Sequence, residues 1–232
     1  AIAVDGRLDD EAWKQARAAT RLRQYQPNEG EPESLPTEVR FLFDDRALYI
    51  GARMIQPEGV IAPLARRDQL LDASGDNGSF NSLTTDKIVV RLDPYHNHLD
   101  DAWFEVNPGG SRGEKFNGDP SWDPVWDVAT QVGPDGWTAA MRIPFSQLRF
   151  STEADQTWGL QIWRYVDSLN EQSMWAFRPR DAASGPAFYG HLEGLAIPRQ
   201  PRQLEVLPYA VTGGRFDGAA SASPYGEERE AR

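Results

Sequence analysis

The chain has 232 residues, 40% of them hydrophobic, and it carries a formal charge of −11 at neutral pH. A chain of this length buries roughly 70% of the surface that its unfolded form exposes, so it needs neither a disulfide nor a metal to fold. The negative charge argues against nucleic acid as a partner, because nucleic-acid-binding proteins cluster Lys and Arg. It favours divalent cations and neutral ligands instead. The absence of cysteine excludes disulfides, thiolate zinc sites and cysteine nucleophiles.

The first predicted element is one short helix. Asp9 is a suitable N-cap, and Ala12, Trp13 and Ala16 fall on one face of the helix that follows it. A loop rich in Pro, Asn and Glu comes next, over residues 27–36. Strand patterns then recur along the chain. They are Val39–Phe43, Ala47–Met54, Ile88–Asp93, Ala102–Asn107, Asp127–Val132, Trp137–Ile143, Trp158–Val166, Met174–Phe177 and Gly190–Leu195.

The regular spacing of these strands predicts the fold class. Turn residues separate most of them, such as NPGG at 107–110 and GPDG at 133–136. Many short strands divided in this way predict an all-β, antiparallel β-sandwich with one short N-terminal helix at its edge. We expect this domain to span residues 1–197.

The last segment, residues 198–232, has a different character. It opens with the proline-bracketed linker PRQP and continues with the alternating stretch QLEVLPYAVTGGRF. This stretch fits either the first strand of a truncated C-terminal region or a last edge strand of the sandwich. The chain begins without methionine and ends in the polar run EEREAR, so we expect it to be a piece of a longer protein.

Several sequence blocks, in this order, resemble family 9 carbohydrate-binding modules: DGRLDDEAW (5–13), ALYIGARM (47–54), DKIVVRLDP (86–94), GWTAAMRIPFSQLRF (136–150), WGLQIWR (158–164) and YGHLEGL (189–195). The resemblance covers residues 2–197. It looks closest to the variant that precedes an outer-membrane β-barrel domain of unknown function in Gram-negative bacteria.

The resemblance implies a non-catalytic domain that binds a glycan or another polyol-containing ligand. It also implies a place in the cell envelope, periplasmic or surface-exposed, with the protein's own C-terminal outer-membrane barrel as a partner. A fold does not fix a function, so other functions stay open. They are a structural or gating domain that caps the barrel without binding sugar, a haem-binding domain, and a glycoside hydrolase with paired carboxylates.

The tryptophans are the first candidates for sugar contact, because aromatic rings pack on sugar C–H groups. The founding modules of the resembled family hold a sugar between two tryptophans. The matching positions here, about Leu83 and the loop 181–186, carry none. Three of the eight tryptophans, Trp13, Trp137 and Trp158, match scaffold positions of the resembled family, which implies that they belong to the core. The remaining possible platforms are Trp103, Trp122, Trp126, Trp163 and Trp175, of which we expect Trp122 and Trp126 to pack rather than stack.

Two patterns complete the predicted ligand contacts. Alternation in AWFEVN puts Trp103, Glu105 and Asn107 on one face of a strand and Phe104 on the core face. Arg164 shares a face with apolar residues, so it needs a carboxylate partner, for which Glu171 is the natural candidate. Such an arginine either locks a hairpin or orients a ligand. The predicted contacts are Trp103, Glu105, Asn107, Arg164 and Trp175, with Arg67 and Asp68 at the rim.

Metal sites follow from the resemblance, which implies structural calcium. Calcium takes six to eight oxygen ligands, mostly from Asp and Asn in loops. Two clusters qualify: Asp72, Asp76, Asn77 and Asp86, and separately Asn117, Asp119 and Asp123. A solvated acidic loop is the usual explanation of such runs. In addition, His96 and His98 alternate in a loop and could bind a transition metal, but chance is the better explanation of this spacing.

Overall fold

Twelve β-strands and one short α-helix make up the described part of the computed structural model, residues 2–64, 85–153 and 155–197. The helix, α1, spans Glu11–Gln15. The strands are β1 Ala18–Ala19, β2 Arg23–Gln26, β3 Thr37–Phe43, β4 Ala47–Ile55, β5 Lys87–Asp93, β6 Ala102–Val106, β7 Arg112–Phe116, β8 Asp127–Gly133, β9 Gly136–Pro144, β10 Asp155–Val166, β11 Glu171–Met174 and β12 Gly190–Ala196. Short 3-10 helices occupy Phe145–Gln147, Asp167–Leu169 and Pro186–Phe188. None of the described helices has the length and apolar character that crossing a bilayer requires.

The strands form two antiparallel sheets, as the sequence predicts for a β-sandwich. The five-stranded sheet has the order β1-β3-β4-β9-β8 in the described residues. The seven-stranded sheet has the order β2-β11-β10-β5-β6-β7, and β12 joins it by pairing with β10. Strand β10 is long enough to pair with β12 along its first half and with β11 along its second half. The all-β prediction is therefore confirmed. The predicted linker and C-terminal strand, residues 198–232, lie outside the described residues.

The core lies between the sheets because each inner strand presents apolar residues at every second position. Leu48, Ile50, Ala52 and Met54 of β4 belong to one buried cluster that also contains the apolar residues of β5, β6, β9 and β10. Strand β4 is also covered on its other side. There, α1 places the indole of Trp13 over Gly51, where a Cβ atom would come within 2.9 Å of the ring.

The predicted positions of the scaffold tryptophans are confirmed. Trp13, Trp137 and Trp158 are all buried, with at most 2% of the surface of each residue exposed to solvent. Trp126 is also buried, and its Nε1 donates to Glu114 at 3.0 Å. Trp122 and Trp126 both contact the ring of Phe104, with centroid distances of 5.6 and 5.2 Å. Both rings therefore pack against the core, as the sequence predicts, and Trp122 stays half-buried.

Arg164 joins the two sheets through hydrogen bonds in the interior. It belongs to β10, and its Nη1 donates to Leu35 O, Pro36 O and Thr37 Oγ1 at 2.8, 3.0 and 3.1 Å. Its Nη2 donates to Ile55 O and Gln56 Oε1, both at 3.0 Å. These acceptors sit where β3 begins and β4 ends. One guanidinium thus ties the seven-stranded sheet to two neighbouring strands of the other sheet.

The hydrogen bonds continue beyond the arginine. Gln56 Nε2 donates to Asp86 Oδ2 at 2.8 Å, and the same carboxylate accepts from Ile61 N and Asp167 N at 2.8 and 2.9 Å. Burial lowers the pKa of Arg164 to about 10, while the charges of Glu33, Asp86 and Glu171 oppose this shift. The hydrogen bonds of both Nη atoms offset part of the cost of burying this charge.

The predicted partner of Arg164 is wrong in one respect. Glu171 acts on the guanidinium electrostatically, but its Oε1 accepts instead from Ser34 N at 3.1 Å and Ser173 Oγ at 2.8 Å. Among the described residues, the arginine donates to backbone carbonyls and two neutral side chains. Glu171 lies across the nearest turn from Arg164, whereas the acceptors of Arg164 lie more than 100 residues earlier in the chain.

Replacing Arg164 by methionine tests the importance of this link. The change removes the donor to five buried oxygen atoms and leaves Asp86 without a compensating charge. We expect the free energy of unfolding to fall by about 3–5 kcal/mol, as when one partner of a buried charged pair is lost. Urea denaturation measures this. The matched control is Arg46→Met, since the Arg46 side chain is 81% exposed and its loss should cost no more than about 0.5 kcal/mol. Equal effects of the two changes would disprove the structural role of Arg164.

Candidate functional site on the outer face of the seven-stranded sheet

The face of the seven-stranded sheet that points away from the core carries polar and aromatic side chains. Strand alternation turns Ile88, Val90 and Leu92 of β5 to the core, so the residues between them point outward. We call this surface the outer face. It is defined by Lys87, Val89, Arg91, Trp103, Glu105, Lys115, Gln161, Trp163, Tyr165 and Met174.

Trp103 stands at the centre of one cross-strand row on the outer face. The register pairs Arg91 with Trp103, Trp103 with Lys115, and Gln161 with Arg91. The guanidinium carbon of Arg91 lies 3.1 Å from the indole ring centre, and Lys115 Nζ lies 3.6 Å from it. Because these cations come from the strands on either side of β6, they approach the ring from opposite directions. Both contacts are cation–π interactions.

A second group of rings lies beside this row. Trp163 stacks on Tyr165 with ring centres 6.3 Å apart. Tyr25 makes an edge contact with Trp163, with ring centres 5.2 Å apart. Lys87 Nζ lies 4.6 Å from the Tyr165 ring centre and 3.4 Å from Glu105 Oε2. Lys87 and Glu105 are both nearly fully buried. Rings therefore alternate with cations across the outer face.

Two buried N–H groups on the outer face have no hydrogen-bond partner among the described residues. They are Trp163 Nε1 and Arg91 Nε. Buried donors normally have a partner, because leaving one unsatisfied costs about 1–3 kcal/mol. A cavity of about 20 Å³ adjoins both residues, and Arg178, Gly185 and Tyr189 also line it. That volume holds about one water molecule, so an oxygen atom fits there.

The loop before β12 borders this cavity. Tyr189, which follows that loop, donates its hydroxyl proton to Asp101, and Trp103 Nε1 donates to the same carboxylate. Burial raises the pKa of the Tyr189 hydroxyl, and the neighbouring Arg91 opposes this rise. The phenol is therefore neutral at physiological pH. The loop 181–186, where the resembled family carries a sugar-stacking tryptophan, contributes Ser184 and Gly185 to the cavity.

The structure brings together only some of the predicted ligand contacts. Trp103 and Glu105 share the outer face. Asn107 is buried, where its Nδ2 donates to Pro63 O at 2.7 Å and its Oδ1 accepts from Ser111 N at 2.9 Å. Arg164 faces the interior between the sheets. Arg67 and Asp68 lie outside the described residues.

Trp175 lies apart from the outer-face residues. It follows β11 and packs against the core, and Gly190 leaves room for its ring. Together with Phe41 and His191, it lines a polar groove of about 730 Å³. The predicted contacts Trp103 and Trp175 therefore belong to two different surfaces.

Sequence reasoning missed the cations of the outer face, namely Lys87, Arg91 and Lys115. Alternation within IVVRLD already places Arg91 on the same side as Val89 and opposite Val90. The pairing of β5 with β6 and of β6 with β7 could not be read from the same pattern. That pairing is what brings Arg91 and Lys115 to Trp103.

The described members of the predicted calcium clusters are engaged in other bonds. Asp86 accepts from three N–H groups, as given above. Asn117 Oδ1 accepts from Asp101 N at 2.8 Å, and Asp119 Oδ1 accepts from Ser121 N at 2.9 Å. Asp123 also has a partner, whereas Asp72, Asp76 and Asn77 lie outside the described residues. Within residues 2–64, 85–153 and 155–197, no three His, Asp or Glu side chains are placed to hold a metal ion. Structural calcium stays a prediction.

Comparison with known proteins identifies the fold. No protein-family model matches the sequence, and no curated protein sequence matches it. A family 9 carbohydrate-binding module from Caldicellulosiruptor kristjanssonii, solved with cellotriose, is similar with a TM-score of 0.60 and 16% identity, over 90% of this chain and 96% of that one. Its structure with glucose gives a TM-score of 0.57 and 15% identity, over 90% and 96%. A candidate carbohydrate-binding protein from Bacteroides uniformis gives 0.54 and 15%, over 83% and 94%.

This chain has the family 9 module fold. The predicted likeness in fold is thereby confirmed over nine-tenths of the chain.

A double-mutant cycle tests the contact at the centre of the outer face. We expect Arg91→Met and Trp103→Leu to be coupled by about 1–2 kcal/mol in unfolding free energy, the value of a cation–π contact that is shielded from water. The matched control is the pair Arg178 and Tyr25, whose guanidinium carbon lies 5.3 Å from the ring centre, and its coupling should be smaller. Additive effects of Arg91→Met and Trp103→Leu would contradict the geometry.

Proposed function

We propose that this chain is a non-catalytic domain that binds a glycan or another polyol-containing ligand on its outer face. The observation that carries the proposal is the fold shared with two structures of a module in complex with cellotriose and with glucose. Two of the solved structures that resemble this chain are of a carbohydrate-binding module, which supports a binding role over catalysis. The chemistry of the outer face supports the same class of ligand.

The outer face offers hydrogen-bond donors to sugar oxygens. Arg91 Nε and Trp163 Nε1 are buried N–H groups that lack a protein acceptor among the described residues, and both adjoin the same small cavity. The cavity has room for one oxygen atom, so a projecting hydroxyl group of a sugar would satisfy these donors. Hydrogen bonds from charged donors are the stronger kind. The faces of Trp103 are already covered by Arg91 and Lys115. We therefore infer that hydrogen bonding, rather than stacking on Trp103, orients the ligand.

The cellular setting extends the proposal. We propose that the domain lies in the cell envelope, periplasmic or surface-exposed, and that residues 198–232 lead into an outer-membrane β-barrel. The support is the sequence resemblance between residues 2–197 and the domains that precede such barrels. We also propose structural calcium, with Asp72, Asp76 and Asn77 among its ligands.

A specific observation favours a second function, that of a structural or gating cap on the barrel. The rings and cations of the outer face already contact one another, and Trp163 is only 6% exposed. A surface that is already filled in this way is suited to permanent contact with another part of the same protein. On this alternative the domain binds no sugar.

Calorimetric titration with neutral mono- and oligosaccharides, including glucose and cellotriose, separates the two functions. We expect at least one of these sugars to bind. Arg91→Met should weaken that binding by about tenfold or more, because it removes a charged donor worth about 1.5–3 kcal/mol. Lys14→Met is the matched control, since Lys14 is an exposed cation on α1 with its own ion pair to Glu11, and its loss should leave affinity unchanged.

Two results would count against glycan binding at the outer face. The first is the absence of heat with every sugar in the panel, which would favour the cap. The second is equal affinity of Arg91→Met and the unmodified chain, which would place the sugar elsewhere on the molecule.

A further inference from the structure

A second surface has the composition of a sugar site. It is a groove at one end of the sandwich, with a volume of about 500 Å³. Small-molecule sites usually enclose about 300–1,000 Å³. We call it the end groove. It is lined by the turn between β5 and β6, the loop after β7 and the segment after β9, and the residues that matter are Tyr95, Asp100, Asp119, Trp122, Gln147 and Arg149.

Two aromatic rings give the end groove its apolar surface. Trp122 is half-buried and is held from behind by Phe104 and Phe116, with ring centres 5.6 and 5.8 Å away. Tyr95 is 47% exposed at the opening. An indole supported on one side and an accessible phenol are suited to packing against the C–H groups of a sugar ring.

Two carboxylates and one guanidinium supply the polar groups. Asp100 accepts from Asn97 Nδ2 and Asn117 Nδ2 at 2.7 and 2.6 Å, and Asp119 Oδ1 accepts from Ser121 N at 2.9 Å. Each carboxylate has about four lone-pair sites, so both groups can also accept hydrogen bonds from hydroxyl groups. Arg149 is exposed and provides donors. The net negative charge of this set disfavours an anionic ligand and suits a neutral polyol.

The loops that hold these groups are tightly bonded before any ligand arrives. Asp93, which is fully buried, accepts from Asn97 N at 3.3 Å and His98 N at 2.8 Å. Asn117 Nδ2 donates to Asp100 Oδ1 at 2.6 Å, which connects the β5–β6 turn to the end of β7. Gln147 Oε1 accepts from Val125 N at 2.9 Å. Preorganised groups bind with less loss of conformational entropy.

We propose that the end groove is a second binding site for a neutral saccharide, separate from the outer face. The rings of Tyr95 and Trp122 pack against one face of the sugar, while Asp100, Asp119 and Arg149 bond to its hydroxyl groups. The end groove and the outer face have only the class of ligand in common.

Titration of the ¹⁵N-labelled full chain with glucose and with cellotriose tests this site. The chain has eight tryptophans, so each indole N–H signal can report on its own surroundings. We expect the Trp122 signal to shift with cellotriose. Tyr95→Ala and Asp119→Asn should each weaken this response by about fivefold or more. Tyr95→Phe keeps the ring and should retain it, and Lys14→Met, which removes an exposed cation on α1, should leave it unchanged.

Four possible outcomes of the titration distinguish binding at the end groove from binding at the outer face. Shifts of Trp103 and Trp163 without Trp122 would overturn the end groove and leave the outer face intact. Shifts of Trp122 that persist in Tyr95→Ala and in Asp119→Asn would also overturn it, since they would originate elsewhere. Trp122 shifts alone, lost in both variants, would support the end groove and refute the outer face. The absence of every indole shift with both sugars would refute both sites.

Discussion

The hydrogen bonds of one buried guanidinium hold the two halves of this molecule in register. Arg164 extends from β10 into the interior and donates to oxygen atoms at the start of β3 and the end of β4. Because Gln56 bonds to both Arg164 and Asp86, the link continues to the segment before β5 and to the turn after β10. Apolar packing alone tolerates sliding between sheets, whereas a network with directional bonds specifies a single arrangement.

The same strand connects this interior network to the outer face. Residues on either side of Arg164 point the opposite way, so fixing the guanidinium between the sheets also fixes Trp163 and Tyr165 outside. Strand β5, the neighbour of β10, then aligns Lys87 with Tyr165 and Arg91 with Gln161. The outer face owes its pattern of rings and cations to this register. Its donors, Arg91 Nε and Trp163 Nε1, consequently have defined positions before any ligand binds.

Local patterns predicted the fold, and long-range pairing limited the prediction of the site. The sandwich and the helix follow from alternation and spacing within short windows, and the burial of Trp13, Trp137 and Trp158 follows from the family resemblance. The two-residue β1 and the four-residue β2 carry too few alternations to be detected, and the segment predicted as Met174–Phe177 is a strand over Glu171–Met174. Arg164 was expected to need a carboxylate partner, yet it donates to distant backbone carbonyls and to the side chains of Thr37 and Gln56.

Contacts between distant side chains show the same limit. His96 and His98 were noted for their spacing, but only the pairing of β12 with β10 brings His191 to within 4.9 Å of His96, between ring centres. Trp103 was expected to be a stacking platform, and the register instead places a cation against each side of it. In both cases the residue types were visible in the sequence, while the neighbours that determine their chemistry come from other strands.

A crystal structure of this chain grown with saturating cellotriose tests glycan recognition at the outer face most directly. We expect electron density for the sugar over β5, β6 and β10, with sugar oxygens within hydrogen-bonding distance of Arg91 or of Trp163 Nε1. Crystals in which these donors remain without a sugar, while cellotriose is absent or lies only on another surface, would contradict it.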